Sequence, residues 1–278
     1  MKILLTGAAG QLGRELTPLL AAYGEVIRVD VHAPEGDVGI VLQDLGDLKS
    51  VKSLLDREMP EIIFNAAAYT AVDLAEDAPE VAHRLNAELP ARLASWAAAN
   101  DSFLVHYSTD YVFSGKEARP LTENDEPSPL NVYGESKLAG EQAVLGSGCR
   151  NIVLRTSWVY SSHGNNFVLT MLRLIDDRDE LKVVADQVGG PTWASTLAAA
   201  IWAVVAKENL KGIYHWSDSG VASWYDFAVA IQEEALARGL IGKPIPIHPI
   251  TTAEYHTPTT RPAYSVLNCA SSWRDLGV

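Results

Sequence analysis

The chain has 278 residues, a formal net charge of −13 at pH 7 and 47% hydrophobic residues. An acid surplus of that size excludes proteins that neutralise a nucleic-acid backbone or cling to an anionic membrane, while the length suffices for one large or two unequal domains. The longest apolar run, Leu197 to Ala206, is about half of a membrane span, and the two cysteines, Cys149 and Cys269, lack metal spacing, as expected of a cytoplasmic protein without a leader.

Lys2-Ile-Leu-Leu-Thr6 is an apolar run of strand length. It leads into Gly7-Ala-Ala-Gly10-Gln-Leu-Gly13 and then into a helical pattern with Leu12, Leu16, Leu19 and Leu20 on one side. Strand, glycine turn and helix in this order form the context that a dinucleotide-binding fingerprint requires, although G-x-x-G-x-x-G is one residue longer than the commoner spacing. Gly7 permits a sharp turn, Gly10 has no Cβ to block a pyrophosphate, and Gly13 lets helix approach strand. The helix start then offers free N–H groups to phosphate oxygens. A second strand, Glu25 to Asp30, puts Asp30 where an acid meets the adenosine ribose and repels a 2′-phosphate. His32, two residues on, works against that preference, so NADH and NADPH both stay open.

A weak strand near Val38 to Leu42 ends at Asp44-Leu45, a helix covers about Leu48 to Glu58, and Ile62 to Asn65 is a short buried strand before Ala66, Ala67 and Ala68. Helical sequence runs from Pro79 to Asn100 with an adjustment at Pro90, followed by strand Phe103 to Tyr107, a helix carrying Tyr133, and strand Asn151 to Arg155. This alternation predicts an α/β fold, a doubly wound, mainly parallel, Rossmann-like sheet, with ligands at the carboxyl ends of its strands. Gly7, Asp30, Asp44, Asn65, Tyr107 to Asp110 and Thr156 to Trp158 all fall there.

The second half changes character. It reads as helix Asn166 to Asp176, strand Leu181 to Val184, the turn Asp186-Gln-Val-Gly-Gly-Pro-Thr192, and a helix from Ala194 to about Lys207. Short strands are expected near Ile213 to Trp216 and Pro244 to His248, and Ser223-Trp-Tyr-Asp226 is a capping box opening a helix to Arg238. We therefore expect a dinucleotide-binding domain over residues 1–157 and a smaller substrate-binding region over 158–278, with crossings back to the main sheet.

Within Pro129-Leu-Asn-Val-Tyr-Gly-Glu-Ser-Lys137, Tyr133 and Lys137 stand one helical turn apart on one face. Tyr loses its proton near pH ~10, and a close positive charge lowers that value, so the phenol can protonate a developing alkoxide. The spacing alone is that of ordinary surface neighbours. The glycine loop and the polar strand ends give it its meaning.

These pieces occur together with Phe-Asn-Ala-Ala-Ala-Tyr-Thr-Ala-Val-Asp73, His106-Tyr-Ser-Thr-Asp-Tyr-Val-Phe113, Arg155-Thr-Ser-Trp-Val-Tyr160 and Gly164-Asn-Asn-Phe167. In this set the chain resembles the extended short-chain dehydrogenase/reductases, and within them the dTDP-4-dehydrorhamnose reductases. The resemblance runs from residue 1 to about residue 270. It implies cofactor contacts at Gly10, Gln11, Leu12, Asp30, Asp44, Leu45, Ala66, Ala67, Ala68 and Tyr107. It makes Tyr133 the general acid, and Lys137 the residue that holds the nicotinamide ribose and lowers the Tyr133 pKa. Thr109 and Asp110 match positions at the sugar, and Trp158 one that packs on it. Asn166, Gln187 and Arg261 are candidates for the nucleotide-diphosphate side, Arg261 because a guanidinium grips phosphates well.

The implied reaction is NADPH- or NADH-dependent reduction of the C4 ketone of dTDP-4-dehydro-L-rhamnose, the partner being the sugar nucleotide and no nucleic-acid polymer or membrane. Three rivals stand beside it, one of them a plain nucleotide-binding structural protein, against which the assembled polar groups argue. A 4,6-dehydratase or 4-epimerase shares the scaffold, but the Asp-Glu pair typical of dehydratases is absent, since Asp110 and Tyr111 follow Thr109. The non-catalytic, NADP-binding regulatory subunit of methionine adenosyltransferase also resembles the family, and intact Tyr133, Lys137 and Thr109 argue against it. Some relatives hold Mg²⁺ at a homodimer contact through acidic residues. Glu15 matches one of them, but Ser195 stands where another would be, and the chain stops at Gly277-Val278, short of the usual last helix. No metal site is expected on these grounds.

Overall fold

The computed structural model describes residues 1–200 and 210–276. Strands β1 (Lys2–Thr6), β2 (Glu25–Asp30), β3 (Ile40–Leu42), β4 (Ile62–Asn65), β5 (Phe103–Thr109) and β6 (Arg150–Thr156) join a late strand, Gly212–Trp216, in one seven-stranded sheet. All its pairings are parallel, in the order Gly212–Trp216, β6, β5, β4, β1, β2, β3. The chain winds outward from β1 through β2 to β3, then returns and winds the other way from β4. The reversal between β1 and β4 opens the crevice in which such sheets bind ligands.

Period-two alternation sorts the strand residues to the two faces. Ile3, Leu5, Phe64, Val105, Ile152 and Leu154 pack with Leu16 and Leu20 of α1 (Gln11–Leu20) and with Leu197 of the Ala194–Ala199 helix. On the other face, Leu4, Ile63, Leu104 and Val153 pack with Leu54 of α2 (Leu48–Glu58), Leu93 in the run Leu89–Ala99, and Val144 of the helix Val132–Gly146. Each such side chain stabilises the fold by roughly 1.5–3 kcal/mol of buried apolar area. A satellite core of Met171, Ile175, Val183, Ala228, Ile231 and Ala235 joins helices Phe167–Asp177 and Trp224–Ala237 to a small parallel pair, Leu181–Val184 with Ile247–Ile250. The capping box at Ser223 forms with Asp226.

The structure differs from the sequence reading in three places. The strand expected at Pro244 to His248 begins instead at Ile247, because Pro244 and Pro246 carry no N–H for a ladder. A short helix, α3 (Val72–Asp77), precedes the long helical stretch. That stretch divides into α4 (Pro79–His83), a π turn Arg84–Glu88 and α5 (Leu89–Ala99). Pro90 cannot donate to the Asn86 carbonyl, so the turn widens, and the Leu89 N–H reaches Arg84 O instead. The freed carbonyl points at Gly140 of α6 (Val132–Gly146), where a Cβ would sit 2.0 Å from it. The helix expected to reach Lys207 is observed as Ala194–Ala199 with its cap at Ala200, and residues 201–207 of the expected span lie outside the described residues.

A buried ion pair ties α6 to β6. Arg155 Nε and Nη2 donate to the two Glu141 carboxylate oxygens at 2.9 and 2.6 Å, both side chains being 1% exposed. The guanidinium carbon also lies 5.0 Å above the Phe113 ring centre. Glu141→Gln would leave Arg155 with an uncompensated buried charge, so we expect a loss of about 3–5 kcal/mol, read from denaturant melts.

Candidate active site

Five strand ends meet at the crevice. Gly7 follows β1 with φ +71°, and a Cβ there would lie 2.6 Å from Ala67 N, so only glycine fits against the Ala66-Ala67 backbone. The turn closes by Gly10 N–H to Gly7 O at 3.1 Å. Helix α1 then starts at Gln11 with no side-chain cap and no acid in its first turn, leaving N–H donors for an anion. Asp30, at the end of β2, is buried, and its carboxylate accepts Ala9 N–H at 2.9 Å and Val31 N–H at 2.7 Å. His32 Nδ1 approaches it at 3.3 Å. Ala66, Ala67 and Ala68 continue β4 as a small-residue floor. Among the remaining expected cofactor residues, Leu12 packs on the α1-side core. Leu45 is buried in the opposite one, and exposed Asp44 accepts Gly46 N–H at 2.8 Å.

Gln11 and Asn166 hold each other. Asn166 Nδ2 donates to Gln11 Oε1 at 2.9 Å and to Ser161 O at 2.9 Å, while Asn166 Oδ1 caps the helix Phe167–Asp177 through Leu169 N–H. The loop 161–166 thereby closes over the start of α1. Every polar atom of the Asn166 side chain is engaged in this joint, and none is left for a diphosphate.

The catalytic candidates converge at the ends of β5 and the start of α6. Asn131 caps α6 by accepting Gly134 N–H at 2.8 Å and donates to Thr260 O at 2.9 Å. Tyr133, half-buried, stands with its ring edge-on to Tyr111, the centres 5.5 Å apart. Burial pushes the Tyr133 hydroxyl up to about 12, while hydrogen bonding with Thr109 pulls it back down. Lys137 is 3% exposed and donates from Nζ to the Tyr107 carbonyl at 2.6 Å. Burial, rather than the Lys137 charge, therefore dominates Tyr133 in this state, contrary to the sequence expectation. Burial also brings Lys137 down to about 8, against the upward pull of Glu141.

Thr109 accepts Tyr111 N–H at 3.2 Å and donates to Asp110 Oδ1 at 3.1 Å. Asp110 is 1% exposed with Oδ2 unpartnered, and burial raises it to about 6 although Ser265 and Thr109 lean the other way. Its charged form therefore destabilises the fold. Between the ordinary carboxylate value and about 6 the folded state binds more protons than the unfolded one, so stability falls as pH rises through that window. Asp110→Asn should show no gain near pH 3 and a gain of roughly 2–3 kcal/mol above pH 6, checked by thermal melts across pH. The hydroxyls of Tyr107, Ser108 and Thr156, in the last residues of β5 and β6, are likewise buried without partners. These orphaned polar atoms and the open start of α1 fit a dinucleotide and a polar substrate.

The other substrate candidates are more occupied. Trp158 has φ +47° and stacks on Trp224 with centres 3.4 Å apart and planes 4° from parallel. Gly189 closes on its edge. Gln187 donates to Thr252 Oγ1 at 3.1 Å. Arg261 donates to Asp73 Oδ2 at 2.8 Å and to Thr257 Oγ1 at 2.9 Å, and it leans on Tyr111, so the guanidinium already has a carboxylate partner.

One residue that the sequence leaves open between shaping the active-site helix and facing solvent is placed by the structure. Asn86, fully buried in the π turn, accepts Tyr69 N–H at 2.8 Å and donates to Tyr69 O and to Ser136 Oγ, both at 3.0 Å. It fixes the loop after β4 to the helix that carries Tyr133. The signal was an asparagine four residues before a proline inside a helical run. Among the described residues, no three His, Cys, Asp or Glu side chains gather as a metal group, and no helix is long and apolar enough to cross a membrane.

Comparison with known proteins supplies the remaining evidence. The family described as RmlD substrate binding domain matches residues 1–278. The dTDP-4-dehydrorhamnose reductase of Salmonella typhimurium is 42% identical over 280 residues, 99% of this chain and 92% of that protein. The Escherichia coli K12 reductase is 43% identical, over 96% of this chain and 89% of its own length. Among solved structures, the Bacillus anthracis dTDP-4-dehydrorhamnose reductase in complex with NADP superposes with TM-score 0.89 at 35% identity, over 98% of this chain and 92% of that one. The Thermus thermophilus UDP-glucose 4-epimerase shares the fold at 22% identity and TM-score 0.80.

Proposed function

We propose a reaction whose premise is that the chain belongs to the RmlD substrate binding domain family, that of the dTDP-4-dehydrorhamnose reductases. The reaction is reduction of the C4 ketone of dTDP-4-dehydro-L-rhamnose to dTDP-L-rhamnose by a reduced nicotinamide dinucleotide. The observation that carries it is the grouping of Thr109, Tyr133 and Lys137 at the strand ends beside an uncapped glycine turn.

A reduced nicotinamide bound in the crevice supplies the hydride for the carbonyl carbon. Gly7, Gly10 and the first N–H groups of α1 hold the pyrophosphate, and Ala66 to Ala68 leave room for the cofactor to lie close. Tyr133 gives its phenolic proton to the ketone oxygen as negative charge develops there. Its raised pKa keeps that proton in place at neutral pH until the oxygen demands it. Thr109 steadies the same oxygen. Lys137 presents its charge to the ribose and to the tyrosinate left behind, which it stabilises once formed. Trp158 and Trp224 form an aromatic wall for the sugar nucleotide, and Asp110 binds sugar hydroxyls. Arg261 serves the diphosphate by exchanging Asp73 for phosphate oxygens. The two buried free cysteines accord with a cytoplasmic setting.

The test is incubation with dTDP-4-dehydro-L-rhamnose and each reduced cofactor, following loss of nicotinamide absorbance and formation of dTDP-L-rhamnose. Absence of both signals with NADH and with NADPH refutes the assignment. Formation of a 4-keto product from dTDP-glucose moves the chain to the dehydratases.

A further inference from the structure

One rung of the sheet is polar on the face that α6 covers. Thr6 of β1 is the register partner of Asn65 in β4, and Asn65 that of His106 in β5, so parallel pairing sets the side chains side by side on one face. Two residues back along each strand the same face carries Leu4, Ile63 and Leu104, all in the apolar core. Thr6, Asn65 and His106 are each no more than 1% exposed. Thr6 Oγ1 donates to Asn65 Oδ1 at 2.7 Å, and Asn65 Nδ2 lies 3.0 Å from His106 Nδ1. This chain of bonds has a direction. The Thr6 hydroxyl has a single hydrogen, and its other acceptor, Phe64 O, is 3.5 Å away. Asn65 therefore turns its carbonyl to Thr6 and its NH2 group to His106. Burial and the Lys137 charge both hold the His106 pKa well below the ordinary histidine value, so the ring is neutral. With Nδ1 accepting, the one ring hydrogen sits on Nε2.

That Nε2–H finds no acceptor among the described residues. A buried orphan donor is costly, and a native fold rarely keeps one without a reason. The reason lies with Lys137, whose charge bears on the ring and whose Nζ donates to the carbonyl of the next residue, Tyr107, at 2.6 Å. One ring nitrogen is taken by Asn65 and the other carries hydrogen, so the imidazole offers the ammonium no lone pair. In the other tautomer Nε2 would be a bare acceptor competing with Tyr107 O. The remaining charges around α6 are engaged or turned away. Glu141 and Arg155 hold each other, Asp110 bonds Thr109, and Asp73 and Glu76 of α3 take Arg261 and the Val132 N–H. On α4, the π turn and α5, Glu80, Arg84, Glu88 and Arg92 are exposed and His83 is half-buried.

Resting on the reading of Lys137 as the cation of the site, we infer that His106 is a positioning residue: the buried chain of Thr6, Asn65 and His106 fixes the imidazole with its hydrogen on Nε2, so that Lys137 keeps Tyr107 O as its acceptor and stays at the strand end beside Tyr133. Each link is a neutral hydrogen bond. A hydroxyl on β1 thus governs a lysine on α6 across the sheet, with no charge added or removed.

The experiment is nitrogen-15 NMR of the full chain, labelled in its histidine and lysine side chains, with neither cofactor nor substrate. His106 is assigned through its ring-to-backbone couplings. Its Nδ1 is expected to resonate as an unprotonated nitrogen and its Nε2 as a protonated one, while Lys137 titrates near 8. Thr6→Val keeps the shape and removes the donor that orients Asn65. It should populate the Nδ1–H tautomer, and the Nε2 lone pair then favours the ammonium, raising the Lys137 titration by on the order of one unit. The alkaline decline of turnover should move up with it, and turnover near neutral pH should fall several-fold. Thr6→Ser, which retains the hydroxyl, should restore all of these. Wild-type His106 protonated on Nδ1, or charged, overturns the proposal, and that measurement needs no variant. So does a Thr6→Val chain whose Lys137 titration stays in place, or a Thr6→Ser chain that behaves like Thr6→Val. If the tautomer and the shift are as expected while no ketone is reduced, the reaction assigned above fails and the hold on Lys137 stands. If reduction proceeds with His106 protonated on Nδ1, the reverse is true.

Discussion

Tyr133→Phe is expected to lower turnover by about 10²- to 10⁴-fold while dissociation constants for nicotinamide dinucleotides shift by no more than a few-fold. The substitution removes one oxygen and keeps the ring, so the edge-on contact with Tyr111 and the Asn131 cap of α6 persist. No hydride acceptor can keep the charge it gains without a proton, and no second phenol shares the pairing with Thr109. Steady-state rates with saturating cofactor, set beside fluorescence titration of the cofactor, separate the two effects. A Phe variant that turns over at the wild-type rate removes Tyr133 from the chemistry.

Lys137→Met carries the second large effect and an unusual pairing of outcomes. Turnover should fall by roughly 10²-fold or more, because the tyrosinate loses the cation that stabilises it. The melting temperature should hold or rise. Lys137 is 3% exposed, and burial depresses it to about 8. Between about 8 and the ordinary lysine value, the unfolded chain binds a proton that the folded chain has given up, so wild-type stability rises with pH through that window. Below it, the buried ammonium is a net burden that methionine relieves at similar volume, while the Tyr107 carbonyl keeps its place in the β5 strand. The same titration predicts that wild-type turnover declines above pH 8. Thermal melts from neutral to alkaline pH, on both proteins, check the stability half. A destabilised Met variant, or one lacking any change in the pH slope, contradicts it.

The features readable in the sequence were those written in local spacing. Short apolar runs over Ile3 to Leu5 and Ile62 to Phe64, the glycine turn at Gly7 and the Pro79 helix start each depend on a few neighbouring residues, and they point to the parallel sheet and its ligand edge. The helix Leu48–Glu58 was legible in outline, and in the structure Asp47 caps it while Met59 leaves the helical region at φ +48°. What stayed hidden depended on distant partners. Nothing near Asn86 in the chain announces Ser136 or the groove at Gly140. Arg261 reads as a free cation until Asp73, from α3, is seen beside it. Trp158 and Trp224, far apart in the chain, meet in a stack that no local spacing announces.

Among the described residues the late strand Gly212–Trp216 pairs only with β6, and by the time the ribosome delivers it the other six have long been made. Until then the nascent sheet ends in β6, whose backbone groups on one side have no ladder partner and invite a neighbouring chain. Without this strand, the half of the protein that holds the glycine turn ends in an open sheet edge. A product released before Trp216 should collect as aggregates rather than as a small cofactor-binding fragment, and the second half earns its keep during synthesis before it ever meets a sugar.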